Sequence, residues 1–177
     1  TSAYYHALCG ETDKIPEIFS QHRLSDVNIL APGKPMMEMI ENQVYLAEGA
    51  YAKVAGRSAE LLAVCEAMHY ALVALHIRIQ TAAAYEKLGK SEEAHAWLDR
   101  ALSDAAPDGL VMPFIENYER LKPLLAQEIK TELIAKITNL GEAAERRRDE
   151  SARPAVFDAL TPREFEIVEL MAQRLSN

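Results

Sequence analysis

Apolar residues recur at three- and four-residue steps over most of the chain. The pattern is clearest between Ala67 and Ala106, where Leu72, Leu75, Ile79 and Ala83 are followed by Ala94, Trp97, Leu98, Ala101 and Leu102. Those steps place side chains on one face of a 3.6-residue helix. The stretch predicts one long helix, a turn at Leu88-Gly89-Lys90-Ser91, and a second helix packed back on the first. Gly89 supplies the left-handed residue that ends a helix. Ser91 is expected to cap the next one, with Glu92 and Glu93 in its positive first turn.

The same period runs through the flanks. Met36, Met39, Ile40 and Val44 form the stripe of a helix over Met36–Ala47, with Glu41 and Gln43 off that stripe. Glu48-Gly49-Ala50 is a turn of the same kind, and Tyr51–Cys65 is the partner helix. Upstream, Thr1–Cys9 reads as a helix stopped by Gly10. Thr12–Gln21 is a second short helix with Pro16 near its start, where proline is tolerated. Ser25–Pro35 is a loop marked by Pro-Gly and Lys-Pro. Downstream, two prolines and a glycine in Pro107–Phe114 set a turn. Helices follow over Phe114–Ala126, which Pro123 kinks or restarts, and over Gln127–Arg148, which Asn139-Leu140-Gly141 loosens. No strand is predicted. The expected fold is all-α: a right-handed array of antiparallel helix pairs over residues 1–148, with a concave face. Glu142–Pro154 is charged and poor in apolar residues, a solvated helix end entering a linker over residues 149–159.

Composition narrows the function classes. At 177 residues the chain is long enough for one sizeable core, or one domain plus a small appendage, and its 49% apolar content argues against disorder. A net charge of −8 disfavours nucleic-acid binding by the chain as a whole, and Arg146–Arg148 are flanked by acids. No apolar run is long enough for a membrane span. Cys9 and Cys65 sit among apolar neighbours and are expected to be buried free thiols of a reducing cytoplasm. The chain does not start with Met and is expected to be part of a longer protein.

Two stretches carry resemblances. Ala84, Tyr85, Leu88, Gly89, Glu93, Ala94 and Ala101-Leu102 sit at the offsets of a tetratricopeptide repeat. Such a unit cannot bury its apolar face alone, so helix pairs stack. In Leu160-Thr161-Pro162-Arg163-Glu164, Thr161 and Glu164 form a capping box and Pro162 takes the first helical position. Taken whole, residues 160–177 resemble the first helix of a LuxR-type helix-turn-helix domain through Leu160, Thr161, Arg163, Glu164, Val168, Leu170, Ala172, Ser176 and Asn177; Arg174 departs where the family has glycine. The recognition helix lies beyond Asn177, so no DNA-reading residue is assigned. Ala105-Ala106-Pro107-Asp108-Gly109 and Pro113-Phe114-Ile115-Glu116 resemble the junction of MalT-like regulators, the large ATP-dependent LuxR-type transcription activators. The resemblance implies a tetratricopeptide-like sensor domain that receives a small-molecule inducer or a partner protein. It implies ATP binding only in an upstream domain, DNA binding through a C-terminal domain, and no cofactor within this stretch; an enzyme has little support, because the sequence shows no convergent set of titratable groups.

Candidate ligand residues follow from the polar stripe on the inner helix of a repeat. Glu66, His69, His76 and Gln80, with Arg78 and Tyr45, are the expected ligand surface. Several motifs are set aside. Ala84–Ser91 fits a relaxed phosphate-loop pattern, but a helix precedes it and it holds one glycine. His69 and His76, seven apart on one helix, stand about 10 Å apart along its axis, too far to share a metal. Cys65 and His69 have helical spacing but no activating positive site. Trp97 has the spacing of a core residue. The rival expectation is a tetratricopeptide-type scaffold that binds a protein or peptide and has no transcriptional role. A homo-oligomer is compatible with either.

Overall fold

One kind of turn closes helix after helix. The computed structural model describes residues 2–152, with side chains through residue 148. In it six backbone amides donate to the carbonyl five residues earlier, each across a left-handed residue. They are Glu11 to His6 over Gly10, Arg23 to Ile18 over His22, Ala50 to Tyr45 over Gly49, Tyr70 to Cys65 over His69, Lys90 to Tyr85 over Gly89, and Leu110 to Ala105 over Gly109, at 2.8–3.1 Å. This bond satisfies carbonyls that a helix end would leave orphaned. The last four left-handed residues stand at positions 49, 69, 89 and 109, a constant step of 20 residues. Two steps make a helix pair of 40 residues.

Between those turns lie α3 (Lys34–Ala47), α4 (Tyr51–Ala67), α5 (Ala71–Lys87) and α6 (Ser91–Ala105), preceded by α1 (Ser2–Leu8) and α2 (Glu17–Ser20). They are followed by α7 (Met112–Glu116), α8 (Tyr118–Leu125) and α9 (Glu132–Ala152). Regular structure among the described residues is therefore all helical. Short 3₁₀ turns at Thr12–Lys14, Leu24–Asp26 and Ala31–Gly33 replace part of the expected second helix and of the loop.

Helix α5 is the centre. It packs along α4 on one side and α6 on the other, and also meets α3. The expectation of a single apolar face is corrected: Ala74 and Ile77 enter one core cluster with α1, α3 and α4, while Leu75, Ile79, Ala82 and Ala83 enter another with α6, α7 and α8. A helix with neighbours all round is apolar all round. Trp97 is partly buried against both clusters and so joins them.

Other expectations are also revised. No single helix runs from Ala67, because His69 is left-handed and Tyr70 precedes the new helix; Leu72 falls in its first turn and is 55% exposed. Met36 is likewise exposed. Glu41 and Gln43 are buried, since α1, α4 and α5 surround α3. Ser91 makes no side-chain cap; the chain leaves Gly89 through Lys90, which takes the cap position itself. Cys65 is buried but Cys9 is exposed. The expected helix Phe114–Ala126 is divided at Asn117, whose amide donates to the Pro113 carbonyl at 3.1 Å; Pro123 remains inside α8. Helix α9 starts at Glu132 and passes Gly141 unbroken. A Cβ at Gly141 would lie 2.3 Å from Cγ of Tyr118, so glycine there is demanded by packing.

The chain divides into two compact units, Thr1–Gly141 and Glu142–Asn177. In the second, α9 continues to Ala152 and Arg146 pairs with Glu142 at 3.8 Å. The expected linker beyond residue 152 and the expected helix-turn-helix start at 160–177 lie outside the described residues. Among those described, no helix is long and apolar enough to cross a membrane, and no group of His, Cys, Asp and Glu is placed to hold a metal ion.

Candidate functional site

The fold distributes the six candidate residues over four places. Gln80 is fully buried between α5 and α3, its amide donating to the Met39 carbonyl and to Gln43 Oε1, both at 3.0 Å. It ties two helices together and faces no ligand surface. His76 lies on another side of α5, with Nδ1 3.2 Å from the Tyr4 hydroxyl, which itself donates to Glu116 at 2.9 Å. With that proton committed to Glu116, His76 Nδ1 is the donor to Tyr4. Burial holds His76 down to about 4, so its ring is neutral at neutral pH. Burial and then the Glu116 carboxylate push the Tyr4 hydroxyl far above its ordinary range.

Glu66, His69 and Arg78 do come together, in a crevice of 450 Å³ where the α4–α5 turn meets the α6–α7 connection. Arg78 Nη1 pairs with Asp104 at 2.6 Å and Nη2 lies 3.6 Å from Glu66, while its Nε is buried without a partner. Leu72, Tyr70 and Leu110 give the crevice an apolar wall. Cys65 lines its base, and burial raises its thiol pKa.

Tyr45 stands apart, in a larger cleft of 690 Å³ between the Leu24–Ile29 segment and the α3–α4 hairpin. His22 stacks on its ring with centroids 4.3 Å apart and pairs through Nε2 with Glu48 at 2.9 Å. Lys53 lies 4.8 Å and Arg57 5.7 Å from the ring centroid, one helical turn apart on α4. Arg57 Nη1 donates to the buried Glu41 carboxylate at 2.5 Å, and Nη2 lies 3.8 Å from Glu38. Lys34 is also paired with Glu38, at 3.7 Å. Burial, then the Glu41 charge, raises the Tyr45 hydroxyl pKa.

Two backbone choices mark these clefts, and the second marks the Tyr45 cleft alone. Among six turns of one geometry, four carry glycine at the left-handed residue and two carry histidine, His22 and His69. A side chain in that conformation costs roughly 1–2 kcal/mol. Each histidine lines one of the two clefts just described. Strain that local structure does not require points to a job for the side chain. Gly56 is the second choice. It sits inside α4, where glycine costs about 1 kcal/mol against alanine. A Cβ there would meet nothing within 4 Å, and the residue lines the Tyr45 cleft. Packing does not demand this glycine, in contrast to Gly141.

His22, Lys53, Arg57 and Glu48 were missed from sequence. The available signal was the i, i+4 pair Lys53 and Arg57 bracketing a glycine in a helical run; nothing linked it to His22. Comparisons with protein-family models, with curated proteins and with solved structures found no match for this chain.

Proposed function

We propose that the chain is the signal-receiving domain of a bacterial LuxR-type, MalT-like transcription regulator and not an enzyme. In this reading α3–α6 are the core of a right-handed, tetratricopeptide-like array. A small-molecule inducer or partner protein binds it and biases its packing. The charged linker passes that bias to a C-terminal DNA-binding domain. A ligand acts this way only by binding two states unequally.

The observation that carries the reading is the 20-residue step of the left-handed turns at 49, 69, 89 and 109. It supports a stacked-pair architecture of the kind whose faces serve as binding surfaces. At 40 residues per pair the unit is longer than the roughly 34 of a tetratricopeptide repeat, so the likeness is to the architecture and to the Ala84–Leu102 motif. The LTPRE motif at residues 160–164 supplies the transcriptional half of the reading. The test is thermal unfolding of the 177-residue chain against a metabolite panel. A concentration-dependent rise in Tm with at least one compound is expected. A panel that leaves Tm and assembly unchanged removes small-molecule reception.

A second reading, a peptide-binding scaffold, draws on the Arg78 crevice. Its apolar wall beside Glu66, Asp104 and Asp108 suits a basic, apolar peptide segment. Saturable binding of such peptides, abolished by Leu72→Asp, would favour it.

A further inference from the structure

We propose that the Tyr45 cleft is the binding site for a small anionic metabolite, whose phosphate or carboxylate group sits against Lys53 and Arg57. The proposal rests on the receiving-domain reading and names its ligand class and site.

Charge is the first argument. The chain carries a net charge of −8. Yet the cleft is lined by Lys34, Lys53 and Arg57 against two carboxylates, Glu38 and Glu41. Those carboxylates are already engaged by Arg57 and Lys34. Among the described residues Lys53 has no acidic partner within salt-bridge distance; its partner is the face of Tyr45. An ammonium and a guanidinium with spare donors therefore converge on one ring, and the group that completes them is an anion.

Shape is the second argument. A volume of 690 Å³ suits a metabolite-sized ligand. The wall at Gly56 is bare backbone on the same helix as Lys53 and Arg57, one residue from Arg57. The missing Cβ there leaves the cleft wall open beside the two cations. His22 holds the Tyr45 ring from its strained turn, anchored by Glu48. A glycine at position 22 would relieve the backbone and lose the stack.

The test uses three probes of related skeleton: glucose 6-phosphate, gluconate and glucose. Binding is followed by the backbone amide signals of Lys53 and Gly56 in the 177-residue chain. The two charged probes are expected to shift these signals saturably, and glucose is not. Whichever of phosphate and carboxylate binds more tightly identifies the anion. Lys53→Met should weaken binding about tenfold or more, and Lys53→Arg should retain most of it. His22→Gly should leave the amide spectrum folded and weaken binding. Equal shifts with glucose, no saturable shift with either anion, or anion binding indifferent to Lys53→Met would each overturn the site. If the anions bind as expected but leave DNA binding by the longer protein unchanged, the site stands and the sensing reading fails.

Discussion

Gly56 and Gly141 are both helix-interior glycines, and the structure gives their replacement by alanine opposite signs. At Gly56 the helix gains the propensity difference of about 1 kcal/mol, and nothing offsets it, because a Cβ there meets no atom within 4 Å. For a chain of this size that raises Tm by roughly 2–4 °C. At Gly141 the same propensity gain is available, but the added Cβ would stand 2.3–2.7 Å from three ring carbons of Tyr118. Tyr118 is 3% exposed and packed in the core, so the ring has little room to yield. Overpacking of this kind costs about 1–3 kcal/mol, and contacts this short fall at the upper end. The expected net result is a loss of about 1–2 kcal/mol and a lower Tm. Thermal and urea unfolding of the two single variants, side by side, measure the difference. A Gly56→Ala protein less stable than the parent would refute the claim that packing does not require this glycine. A more stable Gly141→Ala protein would refute the placement of α9 on Tyr118. A stabilised Gly56→Ala protein that also loses anion binding would show a stability–function trade at one position.

Three further outcomes are expected. His69→Gly should raise stability by roughly 0.5–1 kcal/mol and Gly89→Ala lower it by about 1 kcal/mol in denaturant titrations, because both positions are left-handed; matching signs for the two would contradict the shared turn. His76 should make stability fall as pH drops from 6.5 to about 4: its folded pKa is depressed, so the unfolded chain binds the proton first and stability is gained as pH rises through that window, by up to about 3 kcal/mol. His76→Gln should flatten that stretch of the pH profile, while Tyr4 and Glu116, the groups that face it, keep their places. Leu98→Ala, at a fully buried site between α5, α6 and the helices after them, should cost about 2–5 kcal/mol in urea unfolding, against a near-neutral Leu72→Ala.

Much of the fold was legible because glycine marks the turns. Gly10, Gly49 and Gly89 were readable as helix stops, and the helices between them followed from the apolar period. The turn at His69 was not readable, since histidine carries no signal for a left-handed backbone. The apolar period alone therefore continues one helix from Ala67 and hides the 20-residue step. Burial of Glu41, Gln43 and Gln80 was also hidden, because it depends on partners far along the chain: Arg57 for Glu41, and the Gln43–Gln80 pair for each other. The candidate site fared similarly. A polar stripe on α5 gathered residues that point to different neighbours, so Glu66, His69 and Arg78 share a crevice while His76, Gln80 and Tyr45 go elsewhere. The Tyr45 cleft needs the Leu24–Ile29 segment to fold over α3 and α4, a contact with no local sequence signature.

The regulator reading is tested most directly by the coding sequence on both sides of this chain. The account predicts a continuation after Asn177 that completes a helix-turn-helix, and an upstream domain with a strand-bound phosphate loop. A stop codon directly after Asn177, with no nucleotide-binding domain upstream, would contradict it and leave the scaffold reading in its place.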